Sequence, residues 1–232
     1  MTDARNDDEG VRGRTVLLAG GTSAAGHACA RALLDTGARV VVVGSSDERL
    51  AAMVADLPGI AVERCDLTDE RAVGELRDRV RAEYGPIDGL LHLVGGWRGG
   101  GGLAGQSDDD FAFLLQSVTA LRHVSRAFDD DLRASSAGRL AIVSSNAVER
   151  PLAGGANYAT AKAASETWVR AVAQGYSKAA RDAGRQPTAA AVIFRVTSLS
   201  GLEDALAASF IALWDDDATA WNDVTIGIDA PA

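Results

Sequence analysis

Seven short runs dominated by Val, Leu, Ile and Ala recur along this chain: RTVLLA at 14–19, ARVVVVG at 38–44, GIAVERC at 59–65, DGLLHLVG at 88–95, GRLAIVSS at 138–145, AAAVIF at 189–194 and DVTIGID at 223–229. Several lack strict polar alternation, the pattern of strands covered on both faces. The longer amphipathic stretches between them read as helices. One begins near Ser23 and runs to Leu34, before a Asp35-Thr36-Gly37 stop. Another follows the Leu67–Glu70 stretch, where Thr68 can cap and Asp69 and Glu70 place negative charge in the first turn.

Strand and helix alternate from end to end, which predicts an α/β fold: a single-domain, Rossmann-type doubly wound sheet of about seven parallel strands, with right-handed crossovers and helices on both faces. Neither a linker nor an internal repeat divides it. We assign residues 13–232 to one domain and 1–12, polar and mostly acidic, to a flexible tail. The rhythm breaks once, at Gly95–Gly105, where seven of eleven residues are glycine. Such a run reads as a mobile loop, and at the carboxyl end of a strand in this fold it lies beside the ligand crevice; a passive connector is the alternative.

Composition narrows the function. The chain has 232 residues, 47% hydrophobic and 24% charged, enough for one sizeable core. Its 23 basic and 32 acidic side chains give a formal charge of −9, which repels nucleic acid and anionic membranes. No apolar run reaches membrane-spanning length and no signal core is apparent. Cys29 and Cys65 are too few for a disulfide framework and lack metal-site spacing, so they read as reduced, buried thiols of a cytoplasmic protein. No metal site is expected.

The first strand runs into LLAGGTSAAGHACARALL, with Gly20, Gly21 and Gly26 before and inside the first helix. Gly20 permits a tight turn, Gly26 permits close packing of helix on strand, and free N–H groups at the helix start can hold a pyrophosphate. Tyr158 and Lys162 stand four apart in GGANYATAKAAS, on one face of a helix. An ammonium beside a phenol favours the phenolate and makes acid–base work possible. With three tyrosines and two lysines in the chain, the number of such pairs arising by chance is about 0.03. Ser145 ends a strand thirteen residues before Tyr158.

The glycine turn, the serine-ended strand and the YATAK helix occur in the order and spacing of the short-chain dehydrogenase/reductase family, which the chain resembles from Arg14 to its last strand. The turn is similar to that family's T-G-x-x-x-G-x-G, with Ala19, Gly20, Ala24 and Gly26 at the fixed positions, two of them departures. The resemblance implies an NAD(P)(H)-dependent oxidoreductase that interconverts a carbonyl and an alcohol on a small molecule. Tyr158 would be its acid or base, Ser145 would hydrogen-bond the reacting oxygen, and Lys162 would bind the nicotinamide ribose and lower the tyrosine pKa. It implies further cofactor contacts at Gly20, Thr22, Ser23, Ala25, Gly26, Ser45, Asp66, Leu67, Val94 and Gly95. Asp66 would be the adenine-side aspartate, though a helix-capping turn residue is as good a reading. No acid follows the second strand before Asp47, which favours NADP(H) over NAD(H). The family's usual arginine is absent, Ser45 standing in its place, while Arg49 either reaches back or is simply solvated.

Other departures are plain. The N-N-A-G motif has become His92-Leu93-Val94-Gly95, and His92 reads as a packed strand residue. The relay asparagine maps to Ser117, leaving either a relay through Ser117 and water or slow turnover. The P-G turn has become Phe194-Arg195, and the usual substrate-covering insertion is nearly absent. Ala24, the VGGWRGG loop and RVTSLS are similar to the dihydropteridine reductase branch of the family, and would allow a compact planar substrate near Trp97; a tryptophan used only for packing is the alternative. The resemblance also implies a homodimer or homotetramer, through apolar faces at 110–128 and 164–176. The rival from another class is a dinucleotide-binding sensor or scaffold without turnover.

Overall fold

In the computed structural model, which describes residues 10–229, each of the seven apolar runs contributes one strand to a single parallel sheet. The strands are β1 (Thr15–Ala19), β2 (Arg39–Gly44), β3 (Ala61–Arg64), β4 (Gly89–His92), β5 (Gly138–Ser145), β6 (Ala189–Val196) and β7 (Val224–Gly227), in spatial order β3-β2-β1-β4-β5-β6-β7. The order reverses at β1, between β2 on one side and β4 on the other. A ligand crevice forms at such a point because the crossovers leave β1 in opposite directions there.

Alternation along the strands builds two cores. Val16, Leu18, Val40, Val42, Leu91, Ala141, Val192 and Phe194 face one side of the sheet, against α1 (Ala24–Asp35), α2 (Asp47–Asp56) and α7 (Glu203–Ile211). Leu17, Val41, Val43, Leu90, Leu140, Ile142, Ala191 and Ile193 face the other, against α3 (Glu70–Tyr84), α4 (Asp108–Ala127) and α6 (Ala156–Asp182). Two short helices, α5 (Asp129–Ala134) and α8 (Ala218–Trp221), complete the set.

Local chemistry explains the helix starts. Ser23 caps α1, its hydroxyl accepting from the Gly26 N–H at 3.2 Å. At α3 the cap is Asp69 rather than Thr68: the Asp69 carboxylate accepts from the N–H groups of Arg71 and Ala72, the geometry of a strong cap. Thr68 instead turns back to Asp66, donating both its N–H and its hydroxyl at 2.9 and 2.7 Å. Of the tail assigned to 1–12, residues 1–9 lie outside the described residues. Val11 is buried in the core, and Gly13 donates to the Gly37 carbonyl at 3.0 Å.

Candidate active site

The turn after β1 is held by two backbone hydrogen bonds, from Gly20 and Gly21 to the Val43 carbonyl. Gly20 has φ +76°, a conformation that favours glycine. A Cβ at Gly26 would lie 2.0 Å from the Gly21 carbonyl oxygen, so the turn folds over the first turn of α1 only because position 26 has no side chain. Beside it opens a cleft of about 440 Å³. Gly20, Thr22, Ser23, Ser45, Asp66, Leu67, Val94 and Gly95 line it, as do Arg49, Thr68, Phe113 and Ser117. Ala25 and Gly26 are not on its wall; both are buried behind it in α1.

This cleft suits a dinucleotide. It begins at a helix N-terminus that favours an anion, continues past the hydroxyls of Ser45 and Thr68, and ends at Gly95. The Asp66 carboxyl is held below its ordinary value by the hydrogen bonds from Thr68, leaving it an ionised acceptor on the wall. Arg49, exposed on α2, is the arginine nearest in sequence to Ser45 on this wall, and the wall carries no acid at position 45.

The second group of residues sits on α6 and at the end of β5. Burial pushes the Tyr158 phenol pKa up, and a hydrogen bond with the Ser145 hydroxyl pulls it part of the way back. Lys162 places its Nζ 5.8 Å from the centre of the Tyr158 ring and donates to the Val143 carbonyl at 2.7 Å. Burial lowers the lysine pKa to about 8, opposed by the charge of Glu166. The balance at Tyr158 thus differs from the downward shift anticipated: desolvation outweighs Ser145, and the phenol stays protonated, the form that donates a proton. Gly95 joins the two groups, because it lines the cleft while a Cβ there would stand 3.5 Å from Lys162 Nζ.

Two further expectations are resolved by packing. His92 is a buried strand residue, 5% exposed, with Nε2 3.1 Å from the Ser117 carbonyl. Burial, with Lys162 adding to it, lowers the imidazole pKa to about 3 and keeps the ring neutral. The Ser117 hydroxyl, on the cleft wall, donates its proton to the Leu114 carbonyl at 2.7 Å, closing on its own helix and leaving its lone pairs to accept.

The glycine-rich loop is tied down at its far end. Gly100 donates to the Gly154 carbonyl at 2.7 Å, and the Gln106 amide nitrogen donates to the carbonyls of Gly100, Gly102 and Gly154. The Gln106 oxygen accepts from the Asn157 N–H, beside Tyr158. Trp97, within the loop, is 62% exposed and Leu152 is 76% exposed. Gln106, Asn157 and Glu166 escaped the sequence reading. Only Glu166 had a signal, as the next position after Tyr158 and Lys162 in a four-residue repeat along one helix.

Among the described residues no group of three or more His, Cys, Asp or Glu is arranged to hold a metal, and no helix is long and apolar enough to cross a membrane. Cys29 and Cys65 are buried and unpaired, and burial pushes their thiols up to about 12 and about 11.

The chain matches a known family and known folds. The profile of the short chain dehydrogenase family matches residues 14–180. The 2,3-dihydro-2,3-dihydroxybenzoate dehydrogenase of Bacillus subtilis is 30% identical over 161 residues, 67% of this chain and 61% of that protein, so the match spans about three fifths of the relative's length. The fold is shared with L-sorbose reductase from Gluconobacter frateurii in complex with NADPH and L-sorbose, at TM-score 0.80 and 19% identity over 96% of this chain and 97% of that one. It is shared too with an NADPH-bound short chain oxidoreductase from Pseudomonas aeruginosa PAO1 containing an atypical catalytic center, at TM-score 0.79 and 18% identity over 93% and 95% of the two chains. The chain belongs to the short chain dehydrogenase family.

Proposed function

We propose that this member of the short chain dehydrogenase family is an NADPH-dependent reductase of a small-molecule carbonyl, with Tyr158 as general acid, Ser145 as the hydrogen-bond donor to the substrate oxygen and Lys162 as the ribose-binding cation. The observation that carries the proposal is the meeting at Gly95 of the glycine-turn cleft with the Tyr158–Lys162–Ser145 group.

The dinucleotide, when bound, supplies the hydride. The chain's own residues do the rest. The first turn of α1 and Thr22, on the cleft wall, would hold the phosphates, and Asp66 and Leu67 would flank the adenine side. Ser45 and Arg49 would receive a ribose phosphate, since nothing acidic stands at 45 to repel it. Lys162, anchored on Val143, would offer its remaining protons to the ribose. Ser145 orients the carbonyl oxygen, and Tyr158, kept neutral by burial, gives that oxygen its proton. In the reverse direction the same phenol must lose a proton first. Arg49 supports NADP(H) over NAD(H), and membership of the family supports a homodimer or homotetramer. The unreactive, unpaired cysteines suit a reducing cytoplasm.

The test is titration with NADPH and NADH followed by turnover on a carbonyl panel that includes a quinonoid dihydropterin. Binding of NADPH with turnover, abolished in Tyr158→Phe while binding persists, supports the proposal. Binding without hydride transfer to any member of the panel replaces it with a sensor or scaffold. Preference for the pterin would narrow the enzyme to a pteridine reductase.

A further inference from the structure

Arg195 is the second residue of the Phe194-Arg195 pair that replaces the family's P-G turn, and a charged side chain at that place needs a partner. It sits at the carboxyl end of β6, paired in register with Ser144 of β5, while Ser145 pairs with Val196. Its Nε donates to Glu166 Oε1 at 2.8 Å and its Nη2 donates to Glu166 Oε2 at 2.6 Å, a bidentate grip. The Ser144 hydroxyl donates to the same Oε1 at 2.7 Å. Glu166 is 3% exposed. It lies one helical turn after Lys162 on α6, with Arg170 one turn further at 3.5 Å. The third guanidinium nitrogen of Arg195 reaches Glu149, just beyond β5. One buried carboxylate therefore ties together the ends of β5 and β6 and the helix that carries Tyr158 and Lys162, and Arg195 extends the tie to the segment after β5.

The same carboxylate is an anionic neighbour of the enclosed Lys162 ammonium. The titratable or charged groups around Lys162 are Tyr158 and Glu166 on α6 and the neutral His92 on β4. Those around Glu166 are Arg195 on β6, Arg170 on its own helix and, through Arg195, Glu149. Burial drives the Glu166 carboxyl upward, but the hydrogen bonds from Arg195 and Ser144 outweigh it, and the group stays below its ordinary value.

We propose that Arg195 and Glu166 form a positioning device for the active site: Arg195 holds Glu166 ionised beside Lys162, so that the lysine keeps its proton, while Ser144 on the same carboxylate keeps the neighbouring Ser145 in place. The inference rests on the reading of Tyr158, Lys162 and Ser145 given above. Neither Glu166 nor Arg195 touches the reacting atoms in this scheme; both act through Lys162 and Ser145.

The chain holds only two lysines, and the other, Lys178, is an exposed residue paired with Asp182. Carbon-13 NMR of side-chain-labelled lysine in the full, cofactor-free chain therefore reads the Lys162 titration directly. In Glu166→Gln its midpoint falls by about one pH unit or more relative to wild type, and the alkaline limb of carbonyl reduction moves down with it. In Arg195→Gln, Glu166 loses its bidentate partner and protonates at higher pH. A new acid-side loss of turnover appears, and it vanishes in Arg195→Lys. Should Glu166→Gln fail to fold, the double variant Glu166→Gln/Arg195→Gln strands no charge and gives the same reading. A folded variant whose Lys162 midpoint stays within about 0.2 unit of wild type overturns the inference. Tyr158→Phe separates the two failures: if it stays active, the catalytic reading fails, and if it is inactive while the Lys162 midpoint is unmoved, only this inference does.

Discussion

Lys162 Nζ donates to the carbonyl of Val143 at 2.7 Å, a bond that pins α6 to the end of β5 and encloses the ammonium. Enclosure has a thermodynamic cost. Burial lowers the lysine from 10.5 to about 8 despite the opposing charge of Glu166. A cation whose pKa is lower folded than unfolded weakens the fold wherever it must be charged. The penalty is complete below about pH 8 and is relieved as pH rises from there toward 10.5. Lys162→Met is therefore expected to abolish turnover yet stabilise the protein at pH 7 by on the order of 1–3 kcal/mol, a gain that shrinks toward pH 10. Thermal melts across that range check it, and a variant that melts lower than wild type at pH 7 refutes it.

Ser145 is the group that draws the Tyr158 pKa down against burial. Ser145→Ala removes both this bond and the donor to the substrate oxygen. The expected loss in kcat/KM is about 10- to 100-fold, the worth of one hydrogen bond to a developing charge. The sign of the pH effect is fixed: alcohol oxidation requires the phenolate, so its acid limb moves to higher pH. A profile that falls in height without moving would show that Ser145 does not touch Tyr158 in solution.

At position 26 the limit is steric. An alanine there puts its methyl 2.0 Å from a backbone oxygen that has no other place to go, because Gly20 and Gly21 are both bonded to Val43. Gly26→Ala should cost about 2–4 kcal/mol of stability and weaken NADPH binding with it. Denaturant midpoints and fluorescence of bound NADPH measure the two. A variant of wild-type stability would mean that the turn has room the structure denies it.

Arg49 lies on the cleft wall with Ser45. Removing it in Arg49→Ala is expected to weaken NADPH about 10-fold or more while changing NADH less than about threefold, since only the phosphorylated ribose carries the charge it would meet. Equal losses for both dinucleotides would assign Arg49 to general phosphate attraction, and no loss would leave it a solvated helix residue.

The strands were legible because each core face takes every second residue from runs that are apolar throughout, and no other packing hides RVVVVG or RLAIV from water on both sides. The glycine turn and Tyr158–Lys162 were legible because their spacing is short and local. The cap at α3 was misplaced by one residue, since Thr68 and Asp69 are both good caps and only the geometry of the turn around Asp66 decides between them. Arg139 shows the opposite limit. Its place within a strand announces nothing, yet it is 2% exposed and satisfied by the carbonyl of its neighbour Gly138 and by those of Thr188, Leu213 and Asp216 from distant segments.

Periodicity and local spacing were enough to establish the parallel α/β layout, the glycine turn and the pair of side chains sharing a face of α6, because each depends on residues within a few positions of one another. Whether those pieces converge was settled by folding. Gly95 meets Lys162 across β4 and α6, Ser117 gives its hydroxyl proton to its own helix, and Arg195 reaches Glu166 from β6. Desolvation also exists only in the folded protein, and it sets the protonation of Tyr158, Lys162 and His92; no local pattern along a chain records how much water a distant segment will exclude.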